Sequence, residues 1–111
     1  MDSPMALGSA QYAIPSLTTS AQQIVLQQDN VGLTRVIIDN TAGSTPVYVT
    51  SGSSSMLGSA VFPTSLTVPS YGSVVGAGTV QTYMCKPTDR FFAAIRQSGT
   101  ADLYMTFGSG E

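Results

Sequence analysis

The chain has no histidine, no tryptophan and a single cysteine, Cys85, among its 111 residues. Without histidine it has no imidazole to activate a nucleophile, to act as a general acid or base, or to bind a metal. One cysteine excludes an intrachain disulfide and the common zinc ligand sets. We therefore expect no catalytic residue, no metal and no cofactor, and we interpret Cys85 as a small buried hydrophobic residue.

Charged side chains are also scarce. Six acidic and four basic residues make up 9% of the chain and leave a net charge of −2, against about 25% charged residues in an ordinary domain. The internal aspartates are well separated and lie mostly in predicted turns, which local hydrogen bonding explains better than a catalytic carboxylate pair does. Four basic residues neutralise few phosphates, so nucleic acid is not an expected partner. The composition predicts a protein that is not an enzyme.

Long apolar runs and helical periodicity are missing as well. No stretch approaches 18 apolar residues, so we expect no membrane span and no membrane partner. The N-terminus lacks the basic start and continuous apolar core of a signal peptide, so we expect the chain to remain where it is made or to join an assembly made there. Residues 72–78 are rich in glycine but lack the Lys-Ser/Thr of a phosphate-binding loop, and we interpret them as a loop.

The chain is rich in β-branched, hydroxyl and turn residues, with 28 serines and threonines. A hairpin pattern occurs twice, over residues 36–53 and 91–109, and both returning strands read apolar-Tyr-apolar-Thr-x-Gly-Ser. Chance similarity is the alternative explanation of this repeat. Further strands are predicted within residues 19–28, 60–62, 66–68 and 78–85. About eight short strands predict an all-β, two-sheet sandwich, and we favour a jelly roll over an immunoglobulin-like or other sandwich.

Residues 1–19 are predicted to form an extended N-terminal arm, followed by a β-sandwich domain over residues 20–111. Pro4 and Pro15 interrupt the arm, and no strand or helix period runs across it. It nevertheless carries more large apolar side chains than a disordered tail usually has: Met5, Leu7, Tyr12 and Ile14. Two interpretations stay open, an arm that orders against a partner or a neighbouring subunit, and a flexible terminus with incidental apolar residues.

Alternation along the strands assigns side chains to faces. The predicted core face carries Val36, Ile38, Phe91, Ala93, Ile95, Leu103, Met105 and Phe107. The opposite face collects arginine and large apolar or aromatic residues, types that include those enriched in protein interfaces: Arg35, Ile37, Tyr48, Arg90, Phe92, Arg96 and Tyr104. With the four apolar arm residues, these form the predicted partner interface. The alternative is that inside and outside are exchanged, because a one-residue error reverses every side chain.

A surface with so few charges repels other proteins weakly, so we expect much of it to be covered by protein in the working state. The alternative is a free extracellular β module. A receptor- or carbohydrate-binding module of a phage tail or fibre is the second functional hypothesis, with Tyr48, Tyr71, Tyr83 and Tyr104 as stacking platforms.

Two segments resemble a known family. Residues 34–41 read Thr-Arg-Val-Ile-Ile-Asp-Asn-Thr, and residues 92–111 contain Ala-Ala-Ile, Ser-Gly-Thr-Ala-Asp-Leu-Tyr-Met-Thr and Gly-Ser-Gly. They are similar to small structural proteins of tailed phages, and size and β content suggest the capsid decoration (cement) proteins of epsilon-fifteen-like short-tailed phages. The similarity covers roughly residues 20–50 and 90–111. Thr41-Ala42 before Gly43 departs from the family's Asn-Thr-Gly pattern.

The resemblance implies a structural protein of the virion, located on the capsid exterior. It would bind the major capsid protein across subunit boundaries and stabilise the head against internal pressure. A dimer is the favoured homo-oligomer, because two docking faces would reinforce each other. The resemblance carries no catalytic residue onto this chain.

Overall fold

The structure is a computed structural model that describes residues 10–63 and 71–108. Single 3₁₀ turns lie at Gln28–Asn30 and Leu57–Ser59. The strand predicted at residues 66–68 lies outside the described residues, and residues 60–62 form no strand. The strands are β1 (Ala10–Leu17), β2 (Gln22–Val25), β3 (Arg35–Asp39), β4 (Val47–Gly52), β5 (Ser73–Val75), β6 (Val80–Met84), β7 (Phe91–Arg96) and β8 (Ala101–Gly108).

Within the described residues, eight strands form two four-stranded antiparallel sheets, ordered β1-β8-β3-β6 in sheet A and β2-β7-β4-β5 in sheet B. Strands from the two halves of the chain pair in reverse order, β1 with β8, β2 with β7, β3 with β6 and β4 with β5. This is a long hairpin folded over into two sheets, the arrangement of a jelly roll. The expected sandwich of eight short strands and its jelly-roll topology are confirmed.

The two repeated patterns are not hairpins, which corrects the sequence interpretation. In each of them the chain crosses from one sheet to the other, from β3 to β4 and from β7 to β8. The two copies pair with each other instead, because β3 lies beside β8 and β4 lies beside β7. Glycine-containing turns of this length form within a sheet or between sheets, and local residues do not distinguish the two outcomes.

The core lies between the sheets and confirms the predicted faces of β3 and β8. Val36 and Ile38 are buried, as are the inward residues of β8, Leu103, Met105 and Phe107. The face predicted for β7 is wrong. Phe92 points inward and packs edge-on against Phe107 with ring centroids 4.8 Å apart, whereas Phe91 and Ile95 are only partly buried. Apolar residues on both faces of β7 leave its alternation ambiguous.

Strand β1 places the start of the sandwich earlier than predicted. Ala10–Leu17 pairs with β8, and Ile14 and Leu17 are buried in the core. The predicted arm of residues 1–19 therefore overlaps the sandwich, and its residues 1–9 lie outside the described residues. Pro15 and Ser16, which has φ 53°, interrupt the pairing, and Asp102 Oδ1 accepts the Ser16 N–H at 2.9 Å. This irregularity concealed the strand period from sequence analysis.

Candidate interaction surface

The outer face of sheet A is an open surface across four strands. The cross-strand registers place Gln11, Thr106, Ile37 and Thr82 in one row. A second row holds Ala13, Tyr104, Asp39 and Val80. Arg35 and Met84 continue the surface beyond the first row, and Asp102 lies next to Tyr104 on β8. Every one of these side chains is partly buried or exposed.

Both aspartates on this face are held by neighbouring donors. Asp39 Oδ1 accepts the Thr41 backbone N–H at 2.9 Å and the Thr41 hydroxyl at 2.6 Å. Asp102 accepts the Tyr104 hydroxyl at 3.3 Å as well as the Ser16 N–H. Arg35 is the single cation among the residues of this face. A partner that covers it therefore desolvates few charges, which lowers the cost of binding.

The largest apolar exposure on this face belongs to the edge strand β6. Val80 is 49% exposed and Met84 is 69% exposed. The sequence predicted a strand within residues 78–85, but the predicted interface included none of its residues. Alternation shows which residues share a face, whereas the position of β6 at an edge depends on pairing between distant segments.

The central strands β7 and β4 of the outer face of sheet B, by contrast, are covered by the chain itself. Tyr48 is 2% exposed, and its ring lies 6.0 Å from that of Phe62. The Leu57–Ser59 turn lies against β7, and the buried Ala60 follows it. Thr50 Oγ1 donates to the Tyr71 carbonyl at 2.7 Å. The β4–β5 connection thus covers the central strands of this face, while Val74 on the edge strand β5 is 48% exposed.

Three of the predicted interface residues meet on the outer face of sheet A: Arg35, Ile37 and Tyr104. Four others are buried and do not form part of a surface, which corrects their assignment: Ile14, Tyr48, Phe92 and Arg96. Arg90 is exposed beside sheet B, away from the first three. Met5 and Leu7 lie outside the described residues.

Tyr12, the remaining predicted residue, has its contacts inside the protein. Its ring packs edge-on against Phe107 with centroids 5.6 Å apart. Its hydroxyl donates to Asn30 Oδ1 at 2.5 Å and accepts the Gln27 N–H at 3.0 Å. These bonds tie β1 to the segment between β2 and β3, so Tyr12 stabilises the sandwich.

A cleft of about 270 Å³ opens between the β5 and β6 edges of the two sheets. Core residues such as Val36 and Phe92 line its floor, while Tyr71, Tyr83 and Cys85 lie among its other walls. The Cys85 thiol donates to the Leu33 carbonyl at 3.3 Å. Desolvation raises the pKa of Cys85 to about 11, and the negative charge of Asp89 adds to this effect. Cys85 is thus a protonated, unreactive thiol at neutral pH.

Within residues 10–63 and 71–108, no group of three or more histidine, cysteine, aspartate or glutamate side chains could hold a metal ion. In the same residues no helix has the length and apolar character needed to cross a membrane.

No family model matches the chain, and no curated protein matches it. The chain is similar to a solved structure described as "Bacillus endospore appendages form a novel family of disulfide-linked pili". The likeness covers 96% of this chain and 90% of that chain, with a TM-score of 0.46 and 13% sequence identity. At this score and identity it bears on neither function nor partners.

Proposed function

We propose that the chain is a non-enzymatic decoration protein of a tailed-phage head. The outer face of sheet A binds the exterior of the major capsid protein lattice and bridges neighbouring capsid subunits. The observation that carries the proposal is the asymmetry of the sandwich within residues 10–63 and 71–108. The β4–β5 connection covers the central strands of the outer face of sheet B, whereas no described segment covers the outer face of sheet A. The sequence resemblance supplies the phage head as the partner.

The chemistry of the open face suits a protein surface. Ile37 and Tyr104 lie on its central strands, with hydroxyl residues beside them and exposed Val80 and Met84 at its edge. A stable contact needs on the order of 800 Å² from each partner. A four-stranded face with one arginine and two satisfied aspartates would supply part of that area without a large cost of charge desolvation.

The first and last described residues, Ala10 and Gly108, lie at the same end of sheet A. Ala10 pairs with Phe107, and Gly108 pairs with Arg35. Residues 1–9 include Met5 and Leu7, which would add apolar contact area to the same partner.

Head binding by paired variants tests this proposal. Ile37→Glu places a charge at the centre of the open face, while Val74→Glu places the same charge on β5 of sheet B, where Val74 is 48% exposed. We expect Ile37→Glu to lower affinity for undecorated heads at least about tenfold. A tenfold loss corresponds to about 1.4 kcal/mol, and burying an unpaired carboxylate against the partner costs at least that much. Val74→Glu should bind like the unmodified chain in the same co-sedimentation assay.

Circular dichroism of both variants establishes that they are folded. If Val74→Glu lost binding while Ile37→Glu kept it, the proposed orientation would be wrong. If the unmodified chain did not bind heads at all, or the virion exterior carried no density for it, the function itself would be wrong.

The cleft favours a second candidate function, carbohydrate binding by a tail or fibre module. Tyr71 is 83% exposed, and both Tyr71 and Tyr83 line the cleft, where their rings could stack on a sugar. Tyr48 is buried and does not contribute a platform. A glycan array separates the two functions: specific glycan binding that Tyr71→Ala abolishes and Ile37→Glu preserves would favour the carbohydrate module.

A further inference from the structure

Strand β6 forms an unpaired edge of sheet A in the described part of the chain. Its inner side pairs with β3 over five residues. The Cys85 N–H donates to the Thr34 carbonyl at 2.8 Å, and the Thr79 carbonyl accepts the Asn40 N–H at 2.9 Å. Because backbone groups alternate along an antiparallel strand, the N–H and C=O groups of Val80, Thr82 and Met84 point away from β3.

The other three edges of the two sheets carry features that discourage pairing. On β1, Pro15 and the irregularity at Ser16 interrupt the strand. Strands β2 and β5 have only four and three residues. Strand β6 reads Val-Gln-Thr-Tyr-Met, with no charge and no proline. Natural proteins protect exposed edges with such interruptions, short strands and charges, so an uncharged five-residue edge is a pairing site unless it is covered.

We infer that β6 pairs with β6 of a second copy of this chain, antiparallel about a twofold axis at Thr82. In this register Thr82 lies opposite Thr82 of the second copy, and Val80 lies opposite its Met84. The outward side chains then form one hydroxyl pair and two apolar pairs, both of which stabilise antiparallel strands. The 49% exposed Val80 and the 69% exposed Met84 cover each other. The edge is self-complementary, as an isologous contact requires.

The twofold axis of such a pair runs perpendicular to the sheet. The two copies of sheet A would form one continuous eight-stranded sheet, with both outer faces on the same side. Three outward-pointing residues from each strand allow about six backbone hydrogen bonds. An edge contact of this kind is small beside the roughly 800 Å² per partner of a stable interface, so the free dimer should be weak and should strengthen wherever a surface holds two copies together.

A symmetric crosslink tests the register directly on the purified chain, without heads. Opposite Cα atoms in a hydrogen-bonded antiparallel pair are about 5.5 Å apart, within the roughly 4.4–6.8 Å span of a disulfide. Thr82→Cys in a Cys85→Ser background should form a disulfide-linked dimer under mild oxidation. The matched control is Thr106→Cys in the same background, because Thr106 lies in the same row of the same face but on β8.

The control separates this edge contact from packing of two outer faces. In the proposed dimer the two Thr106 positions are five strand spacings apart, about 24 Å, so Thr106→Cys should remain monomeric. Equal crosslinking of both variants would indicate face-to-face packing and overturn the proposal. Failure of Thr82→Cys to crosslink at millimolar protein concentration would also overturn it.

A second variant distinguishes β6 from the N-terminal residues as the pairing segment. Thr82→Pro removes an N–H that points away from β3, so the sandwich keeps its own hydrogen bonds. Sedimentation equilibrium should show self-association weakened at least tenfold. If removal of residues 1–9 abolished association and Thr82→Pro did not, those residues of the neighbouring copy would be the occupant and the proposal would be wrong. Neither outcome depends on whether the chain binds heads.

Discussion

At the scale of single residues, Arg96 joins three separate segments of the sandwich. It is 1% exposed, and its guanidinium donates to the carbonyls of Leu17 at 3.2 Å, Thr45 at 3.0 Å and Ala101 at 3.3 Å. Burial lowers its pKa from the ordinary value, but an arginine stays protonated. These bonds hold the end of β1 and both places where the repeated pattern crosses between the sheets.

Asn40 and Gly43 complete this arrangement. The Asn40 amide donates to the carbonyls of Thr45 at 3.0 Å and Gly76 at 3.1 Å, and so fixes the crossing from β3 to β4. A Cβ on Gly43 would overlap the Arg96 guanidinium and the Asn40 amide. The glycine in this turn therefore provides space for buried polar groups, a role that its sequence context does not reveal.

We predict that Arg96→Met lowers the free energy of unfolding by about 3 kcal/mol. Methionine keeps the apolar stem but removes the guanidinium donor from the Leu17 and Ala101 carbonyls, at roughly 1–3 kcal/mol each. The Thr45 carbonyl keeps the Asn40 amide as a donor. The matched control is Arg90→Met, since Arg90 is exposed and its one side-chain bond, to the Leu26 carbonyl, is 3.4 Å long. Urea unfolding measures both variants, and equal losses would contradict the central role of Arg96.

The Cys85 thiol should show its raised pKa in its reactivity. A shift from 9.0 to about 11 makes the thiolate fraction at pH 7.5 roughly 100-fold smaller in the folded chain. Alkylation by iodoacetamide should keep accelerating up to about pH 11 in the folded chain and level off above about pH 9 in urea. Identical pH profiles in the two states would show that burial does not perturb the thiol.

At the scale of strands, β7 shows how tertiary structure selects one of two apolar faces. Its inward residues Phe92, Ala94 and Arg96 face β8 and β1, while Ala93 is also fully buried, on the side that the β4–β5 connection covers. Both faces of β7 are therefore apolar, because each of them packs against another part of the chain. The sequence pattern alone could not state which one meets the core, and the predicted interface inherited that error at Phe92 and Arg96.

Alanine substitutions at adjacent positions of β7 test this face assignment. Phe92→Ala should destabilise the fold by about 3–5 kcal/mol, the range for a buried phenylalanine that leaves a cavity. Phe91→Ala should cost clearly less, because Phe91 is only partly buried at the start of the strand. Thermal and urea unfolding measure the difference, and the reverse order would restore the face assignment made from sequence.

At the scale of the whole molecule, the folded unit includes β1. This strand pairs with β8 along one edge and places Ile14 and Leu17 in the core, while Pro15 and Ser16 interrupt its pairing. In the described residues the result is a sandwich with one open sheet face, one partly covered sheet face and few charges, which is the basis of the proposed docking on a protein lattice.

Two truncations locate the boundary of this unit. Removal of residues 1–19 deletes β1 and should cost roughly 3–6 kcal/mol from Ile14 and Leu17 alone, a large part of the about 5–15 kcal/mol that stabilises a domain. Removal of residues 1–9 leaves every described contact in place and should shift Tm by less than the roughly 4 °C that 1 kcal/mol produces. If a fragment of residues 20–111 were as stable as the full chain, the predicted boundary between the arm and the sandwich at residue 19 would be correct.

The sequence by itself determined the all-β class, the approximate number of strands, and the core faces of β3 and β8. These properties are local, because alternation and residue type depend on neighbours along the chain. Only the tertiary structure decided that the repeated strands cross between sheets, which face of β7 is inside, and that Arg35, Ile37 and Tyr104 share an open face with β6 at its edge. Those features depend on which distant segments pair, and the free energy of pairing comes from contacts that no local pattern encodes.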